Sequence, residues 1–82
     1  MHATTKMPAE LMHIARRGTL TFLWRRLDAH GLLPSGYTIW KLERLFETGR
    51  GYPFEADMLK RLGTKESAYA TQEKSKQKGA KG

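Results

Sequence analysis

The chain has 82 residues, so it forms one small domain at most. It contains no cysteine, and therefore has neither a disulfide framework nor a thiolate zinc site. Its 15 lysine and arginine residues outnumber 8 aspartate and glutamate residues, which gives a formal net charge of +7. This balance favours polyanionic partners and argues against the small acidic proteins that mimic DNA.

The beginning of the chain has no pattern of a signal peptide. The segment MHATTKMPAEL lacks an apolar core, and no run approaches the roughly 18 apolar residues that a membrane span needs. We therefore expect a cytoplasmic protein without membrane contact, and a flexible N-terminus over residues 1–6.

The first and last predicted helices, over about 8–17 and 53–62, have the same start and stop signals. Each opens with proline at the first helical position, has glutamate in its first turn and basic residues in its last, and precedes a glycine. In chain order these residues are Pro8, Glu10, Arg16, Arg17 and Gly18, then Pro53, Glu55, Lys60, Arg61 and Gly63.

Two further helices are predicted between them. Thr19 is a plausible N-cap for a helix over about 20–30 that Gly31 stops, and Thr38 for a helix over about 38–48 that ends before Gly49. No segment alternates as a strand would. The prediction is an all-α bundle of four short helices within a domain of residues 7–63.

The remaining segment, residues 64–82, is a Lys-rich tail without Val, Ile, Leu or Phe. Since it cannot bury enough apolar surface to offset its ordering entropy, we expect disorder or frayed helix. Its Lys74, Lys76 and Lys78 are candidate polyanion contacts. The body without the tail is small enough to be marginally stable, which favours a homodimer or docking on a partner.

Each central helix has an apolar stripe and one aromatic residue outside it. The stripes have helical spacing and consist of Leu20, Leu23, Trp24 and Leu27, then Ile39, Leu42, Leu45 and Phe46. Phe22 and Trp40 lie on the opposite faces, among charges. Either both rings belong to the core, or they are exposed anchors of a protein interface together with Arg44.

A helix–turn–helix is the first DNA-binding motif to test. Its helices are joined by a turn of three to four residues, whereas the predicted connection here spans residues 31–37 and includes Pro34 and Gly36. The second helix, TIWKLERLFET, has no Asn or Gln to pair with adenine. The sequence thus does not favour specific reading of duplex DNA.

Contact with phosphates is a less demanding hypothesis. Arginine pairs on consecutive helices could form one basic patch, and three later basic residues a second. The first patch would contain Arg16, Arg17, Arg25 and Arg26, and the second Arg50, Lys60 and Arg61. Alternatively, such pairs only complement helix dipoles and keep a small protein soluble.

No pattern indicates catalysis. His2, His13 and His30 are too far apart for a local metal-binding pair. Glu43 and Glu47, four residues apart, could share a metal ion, but an exposed pair of this kind is usually only solvated. Nucleotide-binding and zinc motifs are missing from the sequence. We expect no enzyme activity, no cofactor and no metal.

Two functional hypotheses remain open. The first is a small basic binding protein that engages nucleic acid or a nucleoprotein complex through its arginine pairs and Lys-rich tail. The alternative is a protein–protein interaction module, such as a compact inhibitor or adaptor, that docks on a larger assembly through Phe22 and Trp40. A homodimer is compatible with either.

Overall fold

The structure, a computed structural model, describes the backbone of residues 3–81 and the side chains of residues 3–68. Four helices and two very short strands follow one another as β1 (Thr5–Lys6), α1 (Ala9–Ala15), α2 (Leu20–Ala29), α3 (Ile39–Thr48), β2 (Arg50–Gly51) and α4 (Pro53–Lys81). The predicted all-α bundle is confirmed.

The central helices begin where their capping residues predict. The Thr19 hydroxyl accepts a hydrogen bond from the Phe22 backbone N–H at 3.1 Å, and Thr38 caps α3 in the same way. Gly49 ends α3 in the left-handed conformation, with φ of 72°. These caps bind backbone groups that a short helix leaves without partners.

The core lies where α1, α2, α3 and the first turns of α4 meet. Its fully buried leucines come in pairs, one pair from each of the three longer helices: Leu23 and Leu27, Leu42 and Leu45, Leu59 and Leu62. The centre of each predicted stripe is therefore confirmed. The flanking Leu20, Trp24 and Phe46 are only partly buried against this core.

The sheet was not predicted from the sequence. Thr5 pairs with Gly51 and Lys6 with Arg50 in antiparallel register, and the Met7 N–H donates to the Gly49 carbonyl at 2.8 Å. Strands of two residues are too short to show an alternating pattern. Residues 5 and 6, part of the N-terminus expected to be flexible, thus pair with the two residues of β2, and Met7 bonds the C-cap of α3.

The fourth helix does not end at Gly63. A Cβ at this position would lie 2.6 Å from Ile14 Cδ1, so the glycine lets α4 pass close to α1 and does not act as a stop. The helix continues past residue 62, where the sequence predicted its end, and residues 64–68, for which disorder or frayed helix was expected, are helical. The rest of the expectation concerns residues 69–82, whose side chains lie outside the described part of the chain.

No helix over residues 3–81 is long and apolar enough to cross a membrane. Seven residues of α1 and ten each of α2 and α3 fall well below the length of a span. The 29 residues of α4 are long enough but too polar.

Gly51 provides a test of how tightly the sheet packs on the bundle. A Cβ there would lie within 3.0 Å of Met7, Leu45 and Glu55 side chains at once. We expect Gly51→Ala to lower the free energy of unfolding by about 1–3 kcal/mol, the usual cost of overpacking. Chemical denaturation measures this, with Ser35→Ala in an exposed loop as the control. Equal stability of the two variants would contradict the packing described.

Candidate interaction surface

A buried carboxylate organises one side of the molecule. Glu55 is fully buried and accepts hydrogen bonds from the Tyr37 hydroxyl at 2.5 Å and from Arg44 Nη2 at 2.9 and 3.0 Å. Its Oε1 also accepts from the Tyr52 N–H at 2.8 Å. The Tyr52 carbonyl accepts the first helical bonds of α4, so Glu55 closes the N-terminus of this helix as in a capping box.

Tyr37 is held in its neutral form by this arrangement. Burial raises its pKa far above the usual 10, and the hydrogen bond to the Glu55 carboxylate and that carboxylate's charge raise it further. The positive charge of Arg44 opposes these effects only in part. Tyr37 is consequently a hydrogen-bond donor to Glu55 throughout the physiological pH range.

Arg44, which the sequence analysis named as a candidate interface residue, also makes internal contacts. Its guanidinium bonds Glu55, donates to the Arg50 carbonyl at 2.7 Å, and lies 5.1 Å from the centre of the Tyr52 ring. One third of its side chain is exposed. Arg44 therefore fixes Tyr52 and the end of β2, with part of its side chain at the surface.

The residues around Glu55 present a continuous set of side chains to solvent. Trp40 lies one helical turn before Arg44, hence on the same face of α3. The Tyr52 ring lies against Arg44 on one side and stacks on Phe54 at 6.2 Å. We call Trp40, Arg44, Tyr52 and Phe54 the aromatic strip.

Exposure distinguishes the two ends of the aromatic strip from its middle. Trp40 is 74% exposed and Phe54 46%. The Phe54 ring also meets Tyr37 edge-on at 5.9 Å, and Tyr37 stacks on Trp24 at 6.2 Å. The strip thus has an outer surface of aromatic rings and an inner side anchored in the core.

A shallow cavity continues the aromatic strip beyond Phe54. It has a volume of about 280 Å³, with Leu32, Pro34 and Met58 on its apolar walls. The exposed pair of Asp57 and Arg61, with an N–O distance of 2.9 Å, lies at its rim. A partner could therefore place a small apolar side chain beside Phe54.

Phe22 is exposed to a lesser degree and belongs to other surroundings. Half of its side chain is exposed, and the Arg26 guanidinium lies 5.6 Å from the ring centre. Its Cδ2 lies so close to Gly18 that a Cβ there would approach it to 2.7 Å. The sequence left open whether Phe22 and Trp40 belong to the core. In the structure Trp40 lies outside the core, and Phe22 is partly packed.

Two of the four residues of the predicted first basic patch, Arg16 and Arg26, make internal contacts. Arg16 donates to the Phe46 carbonyl at 2.8 and 3.0 Å and to the Glu47 carbonyl, so it binds the last turn of α3. Arg26 is buried and makes a two-pronged ion pair with Glu66, with both distances 2.7 Å. It also donates to the Ile14 and Arg17 carbonyls.

The other predicted contact residues differ in whether they bond other groups of the protein. Arg17 lies 3.7 Å from Glu66, and Arg50 donates to the Thr4 carbonyl. Lys60 and Arg25 are exposed, and no hydrogen bond or ion pair joins either to another described side chain. Lys74, Lys76 and Lys78 lie outside the described side chains.

Glu66 is the residue that sequence reasoning missed on this side of the molecule. The hydrogen bond from Arg26 lowers its pKa below the usual 4.5, and the charges of Arg26, Arg17 and His30 act in the same direction against burial. The position of Glu66 in a polar tail gave no indication that it forms an ion pair with a buried arginine. By contrast, the spacing of Pro53 and Glu55 indicated the start of a helix, but it did not indicate the buried hydrogen bonds of Glu55 with Tyr37 and Arg44.

Among the described side chains of residues 3–68, no three of His, Asp or Glu come close enough to hold a metal ion. Comparisons of the chain with known protein families, with curated proteins and with solved structures found no match.

Tyr37 gives the Glu55 cluster a measurable pH dependence. A raised pKa in the folded state contributes stability below the unfolded value of 10, and this contribution is lost as the pH rises further. We expect Tyr37→Phe to be less stable than the wild type by about 1 kcal/mol at pH 7, one hydrogen bond's worth. That difference should shrink above pH 10.

Denaturation of both proteins between pH 7 and 11 measures this difference, and absorbance at 295 nm follows tyrosine ionisation. One of the three tyrosines of the wild type should ionise only on unfolding. Ionisation of all three in the folded protein would contradict the buried hydrogen bond.

Proposed function

We propose that this protein is a non-enzymatic protein–protein interaction module that docks on a larger protein through the aromatic strip. The observation that carries the proposal is the 74% exposure of Trp40. Tryptophan is mostly buried in folded proteins, and together with tyrosine and arginine it dominates the binding energy of interfaces. Trp40, Arg44 and Tyr52 supply these three residue types side by side.

The support beneath the strip favours the same function. Glu55 holds the Arg44 guanidinium, the Tyr52 ring lies against Arg44, and Phe54 packs on Tyr37, so these side chains lose little conformational freedom when a partner binds. A surface that is ordered before binding avoids part of the entropic cost of association. The cavity beside Phe54 adds a place for a partner side chain.

The charges around Trp40 favour a protein over a phosphate backbone. Lys41 is exposed, Glu43 is half-buried and Glu47 is exposed on the same helix, so both signs occur near the ring. The Arg44 charge is paired with Glu55. A mixed surface of this kind fits a polar interface rim, whereas nucleic acid favours clustered positive charge.

Trp40→Ala tests the proposal directly. Because the side chain is largely exposed, stability should change by no more than about 0.5 kcal/mol, while capture of the partner from nuclease-treated lysate by the tagged protein should be lost. Phe22→Ala is the matched control, since Phe22 is an exposed aromatic that packs on Arg26 instead of the strip. It should retain capture.

Several outcomes separate this proposal from its competitors. Capture that survives Trp40→Ala would contradict docking through the strip. Capture that disappears with nuclease alone would transfer the function to nucleic acid. Sedimentation of the wild type at micromolar concentration shows whether the partner is a second copy of the chain.

A second candidate function, contact with nucleic acid, rests on the net charge of +7. Each internal ion pair uses one positive and one negative charge, so these pairs leave the net charge unchanged. Exposed Lys60 and Arg25 and the lysines of the tail would supply the contacts. If they do, affinity for duplex or single strands should fall steeply between 50 and 200 mM salt, at roughly one decade per decade of salt for each phosphate contact. Binding assays by fluorescence anisotropy measure this. Affinity independent of salt would contradict it.

A further inference from the structure

Two arginine side chains converge on Glu66. Arg26 meets both carboxylate oxygens at 2.7 Å, and Arg17 lies 3.7 Å from Oε1. These groups come from two separate parts of the chain, the residues after α1 and helix α2, whereas Glu66 comes from α4.

The geometry around Arg26 is that of an oxyanion site. The guanidinium is buried, and its Nη1 is fixed by the Ile14 and Arg17 carbonyls, so Nε and Nη2 form a rigid fork toward α4. Such a fork matches a carboxylate or a phosphate equally well. Glu66 itself is partly accessible, with 22% of its side chain exposed. This exposed part of Glu66 is where a dissolved anion would approach the Arg26 fork.

We infer that Arg17 and Arg26 form a phosphate-binding site that the chain's own Glu66 blocks, so that a phosphate group binds there by displacing Glu66. The inference is independent of the aromatic strip. Gly63 disfavours helix, and beyond it the Arg26–Glu66 pair holds α4 to α2. Displacement of Glu66 removes this contact. Phosphate binding thus loosens α4 from residue 64 onward.

Blocking by Glu66 predicts that its neutral variant binds phosphate more tightly. We expect Glu66→Gln to bind pyrophosphate at low ionic strength roughly tenfold more tightly than the wild type, since one charged competitor is removed. Asp57→Asn is the matched control: it changes the net charge by the same amount but lies in the exposed Arg61 pair. Its affinity should stay close to that of the wild type. Calorimetry measures all three.

Two further measurements locate the site. In the wild type, pyrophosphate should shift the Arg26 Nε–Hε NMR signal and speed amide hydrogen exchange over residues 64–68. The double variant Arg26→Lys with Glu66→Gln should lose the gain in affinity, because lysine lacks the fork. If that variant does not fold, the single variants and the wild-type exchange still decide.

A short duplex oligonucleotide forms the second arm of the experiment. A gain for both probes assigns the site to nucleic-acid phosphates, and a gain for pyrophosphate alone to a free phosphate compound; either supports the site. Equal affinity of Glu66→Gln and Asp57→Asn for pyrophosphate, or unchanged exchange over residues 64–68, would overturn the inference.

Discussion

The carboxylate of Glu55 is the group on which one side of this small domain depends. Burying a charge is costly unless it is paired and hydrogen-bonded, and Glu55 satisfies this requirement with groups from three places: the loop before α3, α3 itself and the residue before α4. Its bonds join the start of α4 to α3 without any metal ion or disulfide. They also determine where the rings of Tyr52 and Phe54 lie, and therefore the shape of the aromatic strip.

Arginine side chains make several of the contacts that join the helices to one another. Arg44 pairs with Glu55, Arg26 with Glu66, and Arg16 binds the last carbonyls of α3. Each of these contacts joins elements that are distant in the sequence. A body of this size buries little apolar area, so charged hydrogen bonds between helices supplement its leucine core. The positive charge that suggested a nucleic-acid surface is therefore partly internal.

Separation of the two candidate surfaces has a functional consequence. The aromatic strip lies over the Glu55 cluster, whereas the Arg26–Glu66 pair joins α2 to the continuation of α4. A protein that docks through the strip would still have its arginine site and tail available. The proposed partner protein and the proposed phosphate ligand could accordingly bind together, and a nucleoprotein would supply both.

The sequence by itself determined the local structure: four helices, their threonine and glycine caps at Thr19, Thr38 and Gly49, and the leucines that face the core. Those features depend on neighbours three or four residues apart. Only the tertiary structure decided that Gly63 faces Ile14 within a continuing helix, and that Arg26 and Arg44 bind Glu66 and Glu55. These partners lie 11 to 49 residues apart, and no local pattern specifies which charges meet across such distances. The structure also showed that Trp40 is exposed and that Phe22 packs partly against Gly18 and Arg26, because the sequence pattern placed both rings outside the apolar stripes without specifying what they contact.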